Sequence, residues 1–158
     1  MATRTTPPER QRVDSQNPSW NWTRRTIAEW ICSTLKNITG PTIIGLDHGF
    51  SFPQSYVRKH GLTTWDGFLN LFDTLWSLRV KEKMVRDILS RSQPPPIGDK
   101  TDLRITEVRS KTAKSVFNFS VKQGNVAFSS VCGIAWLKYI RDQFTDRNKV
   151  HFWPFDGW

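Results

Sequence analysis

Cysteine is scarce: Cys32 and Cys132 are the only two among 158 residues. They lie far apart, each in an apolar, helix-like context with no second ligand at zinc spacing, so they read as buried free thiols rather than as a disulfide or a metal site. Absent too is any run approaching the ~20 apolar residues of a membrane span, and the opening MATRTTPPERQR has no apolar core of a secretory signal. The expectation is a cytoplasmic protein with no membrane partner. Acid is the minority charge, with 14 Asp and Glu against 23 Lys and Arg and a net charge of +9. That balance favours polyanionic partners, nucleic acid among them. A Gly-x-Ser-x-Gly elbow is missing, and Ser51 has no nearby acid except Asp47, which argues against a serine nucleophile.

What the chain does have is the apolar content of a folded protein. It holds 37% hydrophobic residues and eight tryptophans, whereas disordered chains are poor in aromatics. Its length suits one domain. Residues 1–18 carry Pro7, Pro8 and Pro18 among charges and read as a flexible lead segment, leaving 19–158 as a single domain. Ile27, Trp30, Ile31, Thr34, Leu35 and Ile38 repeat at helical spacing. A helix is therefore expected from Thr23 or Thr26, with Thr26 and Glu29 as a capping box and Asn37, Gly40 and Pro41 closing it. A second helix is expected over Trp65–Leu78 behind Thr63 and Thr64, and Val131, Ile134, Leu137, Ile140 and Phe144 mark a third. Between them, Met84, Val85, Ile88 and Leu89 share one helical face. Ser92–Lys100, with three consecutive prolines, reads as an exposed linker.

TIIGL, from Thr42 to Leu46, is short, apolar and β-branched, the pattern of a strand buried on both faces. SVFNFSV and KVHFWPF are the other strand candidates, the last stopped by Pro154. A helix, a tight loop and a buried strand make the repeating unit of α/β proteins, whose ligand sites gather beyond the carboxyl ends of the strands. Asp47 and His48 fall at that place. The structural alternative for Asp47 is an Asx-turn that caps the amides of Gly49 and Phe50.

The stretches IIGLDHGFSFP, KSVF, GIAWLKYIR and VHFWPFDGW resemble parts of an uncharacterised bacterial family of predicted nucleases with an RNase H-like fold, over roughly Trp22 to Trp158. The resemblance implies an α/β domain built on a mixed sheet flanked by helices, and metal-dependent phosphodiester hydrolysis in which separate carboxylates hold Mg2+ or Mn2+. Hard divalent cations prefer carboxylate oxygen, and a pair of them steadies both attacking and leaving oxygens. On that pattern Asp47 is the catalytic and metal-binding carboxylate, His48 is a catalytic candidate that positions water or phosphate, and Asp156 is the second metal ligand. A turn role in FDGW is the alternative for Asp156. The chain looks like a member lacking its first strand, with its Gly-Ile-Asp-Trp-Ser type of motif, and the C-terminal segment that carries a Glu near a Tyr-Pro pair. Impaired catalysis is the expectation that goes with it.

Arg24 and Arg25 near a helix start, Arg58 and Lys59 after the Phe-Ser-Phe-Pro loop, and Arg109, Lys111 and Lys114 are the candidates for a phosphate track. Trp30, Trp76 and Trp136 fall within apolar helix patterns and are expected in the core rather than stacked on bases. Two functions compete: a metal-dependent nuclease-like protein, and a non-catalytic basic module that binds nucleic acid or a protein. The second predicts salt-sensitive binding that survives Asp47→Asn and EDTA, because phosphate contacts by Lys and Arg need no metal. The oligomeric state is not set by the sequence.

Overall fold

The computed structural model describes residues 22–75, 98–110, 114–119, 126–146 and 148–157. Within them run α1 (Arg24–Asn37), α2 (Gln54–Lys59), α3 (Trp65–Leu75), α4 (Ile105–Arg109) and α5 (Val126–Gln143). The first helix starts where two threonines exchange hydrogen bonds. Thr23 Oγ1 accepts from the Thr26 amide at 3.2 Å, and Thr26 Oγ1 accepts from the Thr23 amide at 3.0 Å. The capping box thus lies three residues before the expected Thr26 and Glu29 pair, because a threonine hydroxyl at the third helical position does the work usually given to a Glu or Gln. At the other end Ile38 leaves helical geometry while its amide still bonds to the Thr34 carbonyl.

The helices bury the faces that their spacing predicts. Ala28, Ile31 and Cys32 of α1, Trp65, Phe68, Leu69 and Phe72 of α3, and Val131, Ile134, Leu137 and Ile140 of α5 form one core, with α1 and α3 both packed on α5. At its centre the Phe52 ring meets Tyr56, Phe68, Phe72 and Phe117 edge-on, with centroids 4.7 to 5.8 Å apart. Edge-to-face packing at these distances adds about 0.5–1.5 kcal/mol per aromatic pair beyond area burial. Phe52 thereby anchors the loop between α1 and α2 on the helical core, and that anchor positions the residues just before it, Asp47 to Phe50.

The expected RNase H-like mixed sheet is not formed: no strand occurs among the described residues, and the fold they make is helical. TIIGL has no regular secondary structure; it shows a strand's alternation at one end, with Ile44 and Leu46 half-buried, but Ile43 is 98% exposed. A strand needs a ladder partner, and Pro41 and Gly45 further weaken the segment as one. In KSVF the buried Val116 and Phe117 lie in a turn closed by the Asn118 amide on the Ser115 carbonyl at 2.9 Å. Residues 120 and 121 of that candidate lie outside the described residues. HFWPF is also a turn, with the Phe155 amide on the Phe152 carbonyl at 2.8 Å. In these two stretches apolar residues report burial and not pairing.

Trp30, expected in the core, is 42% exposed, while Trp136 is half-buried. Trp76, the lead segment 1–18, the face carrying Met84 to Leu89, and residues 92–97 of the linker lie outside the described residues. The last three linker residues, Gly98 to Lys100, are exposed. No helix among the described residues is long and apolar enough to cross a membrane. Both cysteines are free, Cys32 buried and Cys132 half-buried.

Candidate nucleic-acid interface

The loop that carries Asp47 and His48 lies across the first half of α5. Gly49 donates its amide to Ser130 Oγ at 3.1 Å. Glycine suits this close approach, since a Cβ would stand 2.6 Å from that oxygen and 2.8 Å from the Arg104 guanidinium and would push the Ser130 hydroxyl aside. The His48 ring rests on Gly133, where an added Cβ would fall 2.5 Å from ring atoms, and it packs against Phe50 at 5.1 Å. His48 Nδ1 lies 3.1 Å from the Gly49 carbonyl. A carbonyl only accepts, so Nδ1 carries the hydrogen and Nε2 is the titrating atom. Burial, helped by the Arg24 charge, holds the imidazole below its usual pKa against the opposing pull of the Gly49 carbonyl and Asp47. His48 is thus a packed, neutral ring at pH 7.

Asp47 is exposed and makes no hydrogen bond or ion pair with another described residue. The Asx-turn alternative does not form, because the Gly49 amide bonds to Ser130 instead. Asp156 is elsewhere. Its carboxylate takes both terminal nitrogens of Arg141, at 2.5 and 2.7 Å, and accepts the Phe152 amide at 2.8 Å, so it serves as the turn residue of FDGW. Arg141 is buried, and Asp66 binds it from the other side at 2.8 and 2.9 Å. The guanidinium carbon also lies 5.3 Å from the Trp65 ring centre and 5.1 Å from that of Phe152. Burial alone would lower the Arg141 pKa, yet the hydrogen bonds and charges of Asp66 and Asp156 raise it above the usual arginine value.

Arg141 stands eight residues beyond Gly133 on α5, about 12 Å along the helix axis. The structure therefore does not bring Asp47 and Asp156 together through this helix. Among the described residues no group of three or more His, Cys, Asp or Glu is arranged to hold a metal ion. A Mg2+ or Mn2+ pair needs several converging carboxylate oxygens. Asp47 offers one exposed carboxylate beside a neutral imidazole, and the oxygens of Asp156 are engaged by arginine. The donor set around Asp47 does not fit a two-metal centre.

Two arginines, by contrast, stand at this loop. Arg24 reaches His48 and Cys132 electrostatically from the start of α1. Arg104 stands beside Gly49 and is tied to Glu107 at 2.6 Å. From Arg104 the chain runs back to Asp102, which accepts from Ser55 Oγ of α2 at 2.9 Å. The last turn of that helix holds Arg58 and Lys59, and Lys59 and Lys100 both act on Asp99. The Thr101 amide and hydroxyl, each at 2.8 Å, hold the Asp99 carboxyl below its usual value, with the two lysines adding to the effect. Arg24, Arg25, Arg58, Lys59, Lys100, Arg109 and Lys114 are all exposed, and none forms an ion pair with another described residue. Lys111 lies outside the described residues.

Most of the acids behave oppositely: Asp66 and Asp156 hold Arg141, Glu107 holds Arg104, Asp142 holds Lys138, and Asp99, Asp102 and Asp146 bond to hydroxyls or turn amides, whereas Glu29, Asp47 and Asp73 form no hydrogen bond or ion pair with another described residue. Sequence reasoning missed Lys100, Arg104, Ser130, Gly133 and Arg141. Two of these carried a signal: Gly133 interrupts an apolar helical run, which marks a close approach. Arg141 falls in register with Ile134, Leu137 and Ile140, where a charge requires a buried partner. Both thiols are pushed up by burial, that of Cys132 against the lowering effect of Arg24, so neither is a thiolate nucleophile at neutral pH. No family model, curated protein or solved structure matches the chain. Function is therefore read from the chain's own geometry.

Proposed function

We propose that the chain is a non-catalytic module that binds nucleic acid through a basic surface. This surface runs from the start of α1 past the loop at residues 47–50 to α2 and the segment 98–104. The observation that carries the reading is the sorting of charge. Most described carboxylates bond to groups of the chain itself, while Arg24, Arg25, Arg58, Lys59 and Lys100 are exposed and form no ion pair with another described residue. Such cations attract a phosphate backbone and release its counterions, a source of affinity that requires neither metal nor base contacts. His48 has a supporting role: as a neutral ring on Gly133 it holds the loop against α5. Free thiols at Cys32 and Cys132 suit a reducing compartment, and the module is assigned to the cytoplasm on that ground.

The test is fluorescence anisotropy of the full chain with a labelled 20-nucleotide probe, at stepped salt, with and without EDTA, beside Asp47→Asn. The expected result is binding whose log affinity falls linearly with log salt and is unaffected by EDTA. The Asp47→Asn protein should bind as well or slightly better, having lost one repulsive charge. Absence of binding at 50 mM salt would overturn the reading. So would metal-dependent cleavage of the probe abolished by Asp47→Asn, which would restore the nuclease alternative.

A further inference from the structure

Beside the cations at the start of α1 stands a pair of tryptophans that the core does not absorb. The buried stripe of α1 is Ala28, Ile31 and Cys32. Trp30 lies off that stripe and is 42% exposed. Trp22, just before the N-cap, turns back along the helix and meets the Trp30 ring edge to face, with centroids 5.9 Å apart and planes at 70°. Trp30 is thus a large indole held on the outer surface by a second indole. Arg24 and Arg25, both exposed, follow Trp22 by two and three residues.

We infer that Trp22 and Trp30, together with Arg24 and Arg25, form a stacking platform for unpaired bases, so that the nucleic acid taken by this chain is single-stranded. The inference rests on the basic-surface reading above and adds the class of ligand to it. The chemistry follows from what each group recognises. Arginine holds a phosphate, and an indole face stacks on any base, because every base presents a π surface. In a duplex those surfaces are covered by neighbouring base pairs, whereas a single strand offers them freely. An exposed tryptophan on the same helix as two exposed arginines, neither in an ion pair with another described residue, matches both halves of a single-stranded ligand. Trp22 supplies the rigidity, since its edge contact limits the rotamers open to Trp30 and leaves less entropy to lose on stacking.

The test uses the full chain and three 20-unit probes with the same charge per strand: oligo(dT), an abasic oligodeoxynucleotide, and a duplex. Oligo(dT) is expected to bind more tightly than the abasic strand. Trp30→Ala should weaken oligo(dT) binding about tenfold while leaving the abasic strand and the duplex within twofold. Trp30→Phe, which keeps a stacking ring and the helix, should recover most of that loss. Arg25→Gln should weaken oligo(dT) and the abasic strand alike. Equal losses on oligo(dT) and abasic probes for both Trp30 variants, or no loss on oligo(dT), would overturn the platform and leave the basic-surface reading standing. Failure of the wild-type chain to bind any probe at low salt would overturn both.

Discussion

The two halves of α5 carry opposite electrostatic designs. In the second half Arg141 is enclosed by Asp66, Asp156, Trp65 and Phe152, with the side-chain nitrogens Nε, Nη1 and Nη2 all bonded to carboxylate. In the first half, Ser130 and Gly133 support a loop flanked by Arg24, which has no carboxylate partner among the described residues. One arginine is closed and the other open. A closed arginine contributes to holding elements together, here α3, α5 and the turn Phe152–Gly157, and, buried with four of its five N–H donors bonded to carboxylate, is not open to a ligand. An open one adds little to stability and is ready for an anion. The chain's few acids thus decide which of its many cations are structural.

That contrast predicts a graded series. The largest effect belongs to Arg141→Met, which leaves two carboxylates without their cation and should cost about 3–5 kcal/mol by urea unfolding. Asp66→Asn should cost less than Asp156→Asn, because the Asp66 side chain is 49% exposed and that of Asp156 only 9%. An Arg141→Met protein as stable as the wild type would break the comparison at its closed end.

Gly133→Ala is expected to destabilise by about 1–3 kcal/mol, since the new methyl drives the His48 ring off α5. In a His48→Ala background the same change should stabilise by up to about 1 kcal/mol, the ordinary helix gain of alanine over glycine. A sign that fails to reverse would show that His48 is not what the glycine accommodates.

The His48 ring sharpens the open end through pH. Its folded pKa lies below the ordinary 6.5, so the unfolded chain binds the proton more readily. The stability that it contributes is complete above about pH 6.5 and is lost as pH falls through the folded value. Between pH 7.5 and 5.5 the wild type should lose more stability than His48→Gln, while carboxylate contributions common to both proteins cancel in the difference. Smallest of all, Asp142→Ala removes the exposed partner of Lys138 and should change stability by about 0.3–0.5 kcal/mol.

How far the sequence disclosed this arrangement depended on the range of each interaction. The apolar stripes of α1, α3 and α5 were legible because helical periodicity is set by residues three and four apart. The sheet was misread for the reverse reason. Thr42 to Leu46 has the composition of a strand, but pairing depends on a distant partner that no local pattern specifies. VHFWPF was drawn into a turn by Asp156, which binds the amide four residues back. For Asp156, expected as a metal ligand with a turn role as the alternative, the carboxylate accepts the Phe152 amide and both terminal nitrogens of Arg141. Arg24, Arg25, Arg58 and Lys59 could be picked out as exposed cations. Their relation through His48, Gly49 and Arg104 could not, because it rests on Ser130 meeting a loop 81 residues away.

The most direct test of the sorting of charge is a paired measurement of unfolding free energy and oligonucleotide affinity on Arg58→Gln/Lys59→Gln and on Asp66→Asn. The account predicts that the double variant keeps its stability within about 0.5 kcal/mol while its salt dependence flattens by about 0.7 per lost phosphate contact. Asp66→Asn should do the reverse, losing stability while holding affinity. A double variant that binds as tightly as the wild type, with an unchanged salt slope, would contradict the claim that the outward cations are the working surface of this protein.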